Sequence, residues 1–317
     1  MSLNDIKQSI TMKEAITVME NAFKALYLKK AVLPLRTPVE IEKEKALMLT
    51  MPAYLSDEGA LGLKVVSIFP DNITKSLPAI TGAMLLLDAH TGEIKAMMDA
   101  GYLTGLRTGA VSGLATKYLA TSDASHVAII GSGVQAATQL SAVSAVRNIK
   151  YVSIWSRNIE NAEAFAATVT GCEVSVCPTI GEAVRNADII CTATGSLEPL
   201  IYLGDLKPGV HINAIGSHTL AMHEVADDIM GEAFVVVDQL QAALSESGEI
   251  HSAIKNHYLK VEDIHELGEI IEQRNLFPQQ KLSVFKSVGL AIQDISIANK
   301  VYENAIAQKL GYAFELS

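Results

Sequence analysis

The sequence predicts a two-domain α/β protein: a β-rich α+β region followed by a doubly wound parallel sheet with helices on both faces. Three observations predict it. Short β-like runs separated by turn residues crowd residues 36–98. Strand-like and helix-like stretches then alternate from residue 126 onward, the pattern of a parallel sheet covered on both sides. The chain has 317 residues, enough for two domains of the usual size, and is 49% hydrophobic against 19% charged, which suits a well-buried core.

The elements follow in order. Residues 12–29 carry helical periodicity through Ala15, Val18, Met19, Phe23, Leu26 and Tyr27, with Thr11 as N-cap and Glu14 closing a capping box. Residues 36–42, 46–51, 61–69, 81–88 and 93–98 read as strands. Asp57-Glu58-Gly59 and His90-Thr91-Gly92 read as turns between them, the second as a hairpin. Residues 103–119 form a helix rich in small side chains. At Ser125 the pattern changes. Strands are expected at 126–130, 151–155, 173–176, 187–193, 211–215 and 233–237, and helices at 134–147, 161–169 and 180–186. A last strand, 282–286, leads into a long helix from about 289 to 309. One domain is therefore expected from 1–119 with 290–317, and the other from 120–289.

Charge and cysteine usage exclude several classes. A net charge of −10 disfavours nucleic acid and anionic membrane as partners. Apolar stretches such as 83–87 and 127–130 are too short to span a bilayer, and the polar start does not resemble a secretory signal. Cys172, Cys177 and Cys191 fit neither a disulfide framework nor a zinc pattern, so reduced cytoplasmic thiols and no metal site are expected.

The first chemistry-bearing motif is Gly131-Ser132-Gly133-Val134-Gln135-Ala136, set between an apolar strand and a helix. That order is the dinucleotide fingerprint of a Rossmann-type domain. Gly131 permits the tight turn, Gly133 clears a path for the pyrophosphate, and Ala137, beside Ala136, keeps the helix close to the strand. The helix N-terminus offers free N–H groups and partial positive charge to the phosphates. At the end of the second strand stands Trp155-Ser156-Arg157-Asn158, with no acid for a ribose 2′-hydroxyl. Arg157 suits a 2′-phosphate, with Ser156 and Asn158 as further donors, which favours NADP(H) and leaves NAD(H) possible. The alternative is that Arg157 only stacks on the adenine.

Three cations stand out upstream: Arg36, Lys64 inside an apolar strand, and Arg107 in the small-residue helix. A buried lysine must snorkel to water or meet an anion, and arginine pairs bidentately with a carboxylate.

Several ordered segments then carry a resemblance. Gly62-Leu63-Lys64, Phe69-Pro70-Asp71-Asn72, Leu106-Arg107-Thr108-Gly109-Ala110 and the glycine turn are followed by Lys207-Pro208-Gly209 and Asn213-Ala214-Ile215-Gly216-Ser217. Glu246-Ser247-Gly248-Glu249, Glu266-Leu267-Gly268-Glu269 and residues 285–294 complete the set. The chain resembles the ornithine cyclodeaminase/μ-crystallin family over nearly its whole length. The resemblance implies a homodimer whose N- and C-terminal segments form a substrate and dimerisation domain. It implies Arg36, Lys64 and Arg107 as substrate contacts, Thr108 as a cofactor-phosphate contact, Ser156, Arg157 and Asn158 as an NADPH turn, and Glu246 as an acid near the substrate. Thr81, Thr192, Ala193, Thr194, Ser217 and Ser287 are expected to join Gly131, Ser132, Gly133, Val134 and Gln135 around the cofactor. No catalytic role is assigned to Asp294.

One position departs from the family. Where cyclodeaminases and some alanine dehydrogenases carry an aspartate after the pair matching Gly216-Ser217, this chain has His218, and Leu220 replaces the usual proline. That puts cyclodeamination in doubt, and His218 either carries a proton or merely lines the cleft. The expected activity is NAD(P)H-dependent reduction of a small cyclic or linear α-imino acid such as Δ1-pyrroline-2-carboxylate. Ornithine cyclodeaminase, alanine dehydrogenase and a non-catalytic NADPH binder are the alternatives.

Overall fold

The computed structural model describes residues 1–273 and 281–313. The chain forms two compact units, Met1–Arg107 with Leu290–Ser317, and Thr108–Gly289. The first division falls inside helix α3 (Ala100–Leu119), ahead of the break the sequence suggests at its end. Helix composition is uniform across that point, so no local signal marks it.

The first unit begins with α1 (Leu3–Ser9) and α2 (Met12–Tyr27). Both halves of the α2 capping box form: Glu14 N donates to Thr11 Oγ1 at 3.2 Å, and Thr11 N donates to Glu14 Oε2 at 3.0 Å. An antiparallel sheet follows, built from β1 (Ala31–Val32), β2 (Thr37–Ile41), β3 (Ala46–Leu55), β4 (Ala60–Ile68), β5 (Ile80–Asp88) and β6 (Ile94–Asp99). Its order is β1-β3-β4-β5-β6, with β2 also on β3. Pro52 falls between the stretches of β3 that β1 and β2 pair, where a missing N–H costs the ladder least. The last helix, α11 (Ala291–Gln308), packs on β3, β4 and β5. Its approach is close at Gly62, where a Cβ would lie 3.5 Å from Ile295 and 2.6 Å from Leu85 O.

Strand alternation gives this sheet two distinct faces. On the buried face Met51, Lys64, Met84 and Met98 stand in register across four strands. On the other face Pro52, Leu63, Leu85 and Met97 form a second row, of which Met97 is 50% exposed.

The second unit holds the parallel sheet. Its elements are β7 (His126–Ile130), α4 (Val134–Val146), β8 (Tyr151–Trp155), α5 (Ile159–Ala166), β9 (Glu173–Val176), α6 (Ile180–Val184), β10 (Ile189–Thr192) and β11 (His211–Ala214). They continue with α7 (Asp227–Glu232), β12 (Phe234–Val237), α8 (Leu240–Glu246), α9 (Gly248–Lys255), β13 (Ile264–Glu266), α10 (Leu267–Glu272) and β14 (Ser283–Lys286). The strand order is β13-β12-β14-β11-β10-β7-β8-β9, so β14 inserts between β11 and β12. Val127 and Ile129 pack with Ala136 and Val143 on one face, while Ala128 and Ile130 pack with Ala183 and Val184 on the other. Ala136 is the fully buried helix residue and Ala137 is exposed, so Ala136, not Ala137, sets the helix-to-strand spacing.

Between residues 216 and 281 the sequence predicts a single strand, 233–237, whereas the structure adds α7, α8, α9, β13 and α10 there. The longest of these, α9, has 8 residues, too few turns for a 3.6-residue period to stand out. Among the described residues no helix is long and apolar enough to cross a membrane.

Candidate active site

In the second unit a cleft of about 300 Å³ opens at the carboxyl ends of β7, β8 and β10. This is where ligands bind in open parallel sheets. Gly131, Ser132, Ser156, Arg157, Asn158, Ala193 and Thr194 all line it, together with Trp155 and Asn161. The two glycines serve different ends. Gly131 has φ +118°, and a Cβ there would come 2.5 Å from Ala193 O. Gly133 has an ordinary extended backbone, and a Cβ there would meet nothing within 4 Å. The fold itself requires glycine at 131 only; the open space at 133 is what a close-lying pyrophosphate needs.

Thr11, Asn158, Thr179 and Ser247 cap α2, α5, α6 and α9, whereas no N-cap side chain caps α7, α8, α10, α11 or, directly after Gly133, the N-terminus of α4. Its first N–H groups are thus available to an anion. Val134 is 75% exposed and Gln135 half-buried at this end. Beside it, Ser132 and Ser156 hydroxyls lie 2.8 Å apart. Asn158 uses Oδ1 to cap α5, accepting from Asn161 N at 2.9 Å, which leaves its NH2 end to donate. These residues fit a dinucleotide.

The first unit holds a buried ionic cluster. Lys64, on β4, is 3% exposed, and its Nζ lies 2.8 Å from Asp294 Oδ2. Arg107, on α3, donates from Nε to Asp294 Oδ1 at 3.1 Å and from Nη1 to Gln293 Oε1 at 2.7 Å. Two cations therefore share one carboxylate, both of them in a nearly dry setting. Burial pulls the Lys64 ammonium down to about 8, the charges of Arg107 and Arg36 push the same way, and Asp294 opposes them. Arg36 stands half-buried just before β2, within electrostatic reach of Lys64. Asp294 went unassigned in the sequence because it is 187 positions from Arg107; only the seating of α11 on the sheet reveals it.

Other expected residues are placed as follows. Thr81 is exposed at the start of β5, and Thr108 is buried within α3. His218 is half-buried, with Nδ1 3.1 Å from Gly216 O, and Glu246 ends α8, also half-buried. Ser287 donates to Asp238 Oδ2 at 2.9 Å, and the same oxygen takes the N–H groups of Val288 and Gly289. Thr192 and Ser217 are fully buried, with hydroxyls committed to Glu224 and Glu249. Those two glutamates form, with Lys286, a buried network that the sequence reading did not pick out. His211 is wholly enclosed between Ser283 and Asn213, and burial pushes its imidazole down to about 3.

Comparison with known proteins agrees with this architecture. A Δ1-pyrroline-2-carboxylate reductase of Bacillus cereus (strain ZK / E33L) is 37% identical over 321 residues, covering 99% of this chain and 98% of that protein. The solved structure of Thermococcus litoralis Δ1-pyrroline-2-carboxylate reductase in complex with NADH and L-proline superposes with a TM-score of 0.95 at 39% identity, covering 99% of each chain. An archaeal alanine dehydrogenase dimer with bound NAD superposes with a TM-score of 0.93 at 36% identity, covering 100% of this chain and 98% of that one. The family model for the ornithine cyclodeaminase/mu-crystallin family matches residues 1–309, and the chain belongs to that family.

Proposed function

We propose that this protein is an NAD(P)H-dependent reductase of small α-imino acids, acting on Δ1-pyrroline-2-carboxylate or a similar cyclic or linear ketimine. The observation that carries the reading is the sharing of Asp294 between two buried cations, Lys64 and Arg107. Two buried positive charges on one carboxylate make a poor packing solution and a good receptor for a second carboxylate. Arg107 and Arg36 hold the substrate carboxylate, and Lys64 delivers a proton to the imine nitrogen. An ammonium near pH 8 can give up its proton at physiological pH. The dinucleotide, held in the cleft at Gly131 and Gly133, supplies hydride when bound. We assign His218, on the turn after β11, to the same site, either carrying a proton or lining the cleft.

Arg157, with Ser156 and the NH2 end of Asn158, supports a preference for NADPH, because these three residues directly after β8 include no acidic side chain to hold a ribose 2′-hydroxyl. NADH remains usable. The first unit serves the substrate and the dimer, and the second the nucleotide. The half-exposed row of Pro52, Leu63, Leu85 and Met97 supports a homodimer joined through that face of the sheet. Three free cysteines suit a reducing, cytoplasmic setting.

The test is a panel of cyclic and linear imino acids assayed with NADPH and NADH side by side at 340 nm. Oxidation of added NADPH by Δ1-pyrroline-2-carboxylate is the expected result. Tight ligand binding without turnover on any imine would replace the enzyme reading with that of a binder. The likeness to alanine dehydrogenase favours one second reading, reductive amination of pyruvate, which the same assay with pyruvate and ammonia distinguishes.

A further inference from the structure

We infer that Glu224 is a positioning residue for the nucleotide cleft, fixing Thr194 in the cleft wall and the Gly216-Ser217-His218 turn beside it. This rests on the dinucleotide reading of that cleft. Glu224 is fully buried and gathers five donors from the loops that follow two neighbouring strands. From the end of β10 and the loop after it come Thr192 Oγ1 at 2.9 Å, Thr194 N at 2.7 Å and Thr194 Oγ1 at 2.8 Å. From the loop after β11 come Gly216 N at 2.8 Å and Ser217 N at 3.2 Å.

A second layer holds the first. Glu249 accepts Glu224 N at 3.0 Å and the Ser217 hydroxyl at 2.6 Å. Lys286, wholly buried at the end of β14, lies 3.2 Å from Glu249 Oε2 and donates to Ser217 O at 2.6 Å and to the Ser217 hydroxyl. Two carboxylates and one ammonium in a dry interior are a costly way to fill space, since apolar side chains would do so more cheaply. What the cluster supplies is direction. Every donor to the Glu224 carboxylate belongs to the loops that follow β10 and β11 or to the last residue of β10, and Thr194 itself lines the cleft. Burial, with the neighbouring Glu249 charge, raises the Glu224 carboxyl, while the Lys286 charge and the Thr194 donors pull against that rise.

Glu224→Gln tests the assignment. Either orientation of the new amide turns an NH2 onto a backbone N–H, of Thr194 or of Gly216 and Ser217. Trp155, the chain's single tryptophan, lines the cleft, so its fluorescence reports nucleotide binding by the full-length protein. Glu224→Gln is expected to raise both Kd and KM for NADPH by about tenfold or more, with the KM for the imino acid within about twofold. Thr194→Val, which deletes only one donor, shows a smaller rise, and Thr194→Ser restores wild-type binding. If Glu224→Gln does not fold, the Thr194 pair carries the test. A purely structural role would lower the active fraction or the melting temperature and leave nucleotide Kd unchanged in every variant, and that result overturns the inference. A wild-type protein whose fluorescence responds to neither nucleotide overturns the dinucleotide reading, and this inference with it.

Discussion

Asp294 meets Lys64 at 2.8 Å, carboxylate to ammonium, with both side chains almost completely withdrawn from solvent. The contact joins the last helix to the middle of the antiparallel sheet, and Arg107 takes the other carboxylate oxygen. Removing that one charge leaves two buried cations facing each other.

Asp294→Asn is therefore expected to destabilise the protein by about 3–5 kcal/mol, the usual cost of stripping one partner from a buried ion pair. Urea denaturation measures it. Adding Lys64→Met, which extends the row of Met51, Met84 and Met98, should recover part of the loss, because it removes one of the stranded charges.

The same pair sets a pH limb. Lys64 is charged below about 8 and neutral above it, so kcat/KM for the imino acid should fall as pH rises through that value. Asp294 holds the Lys64 pKa up while Arg36 and Arg107 hold it down. Asp294→Asn should thus move the limb to lower pH and Arg36→Met to higher pH. Profiles that coincide for all three proteins would remove Lys64 from proton transfer.

The two glycines of the turn should respond oppositely to alanine. Gly131→Ala forces a side chain into φ +118° and against Ala193 O, a cost of at least about 1–3 kcal/mol from backbone strain alone. Gly133→Ala should change stability by no more than about 0.5 kcal/mol, since its Cβ enters open space. It should nonetheless weaken nucleotide binding by about tenfold or more, equivalent to about 1.4 kcal/mol. Thermal melts and fluorescence titration separate the two effects.

Arg157→Asp should shift the NADPH-to-NADH preference by about ten- to a hundredfold toward NADH, the worth of a charge-assisted hydrogen bond. A ratio that does not move would leave Arg157 as a stacking surface for the adenine. Steady-state kinetics with both nucleotides decide it.

Leu85→Arg, in the middle of the half-exposed apolar row, should convert a dimer to monomer by burying an unpaired charge. Light scattering over a range of concentration reads the change. A wild-type protein that is monomeric throughout would remove this face from the assembly.

What the sequence determined by itself was whatever a dozen neighbouring residues can encode. The capping box at Thr11 and Glu14, the alternation along β3 to β6, the apolar runs of β7 and β10 and the turn from Gly131 to Ala136 are local patterns, and their chemistry is written in adjacent side chains. The short elements between residues 216 and 273 were not legible, because fewer than three turns carry too little periodicity. Tertiary structure alone decided the partners of the buried charges. Asp294 reaches Lys64 because α11 seats on β4, and Lys286 reaches Glu249 because β14 inserts between β11 and β12. Those pairings join residues far apart in the chain, and an ionic contact depends on where elements pack in space, which no spacing along the chain records.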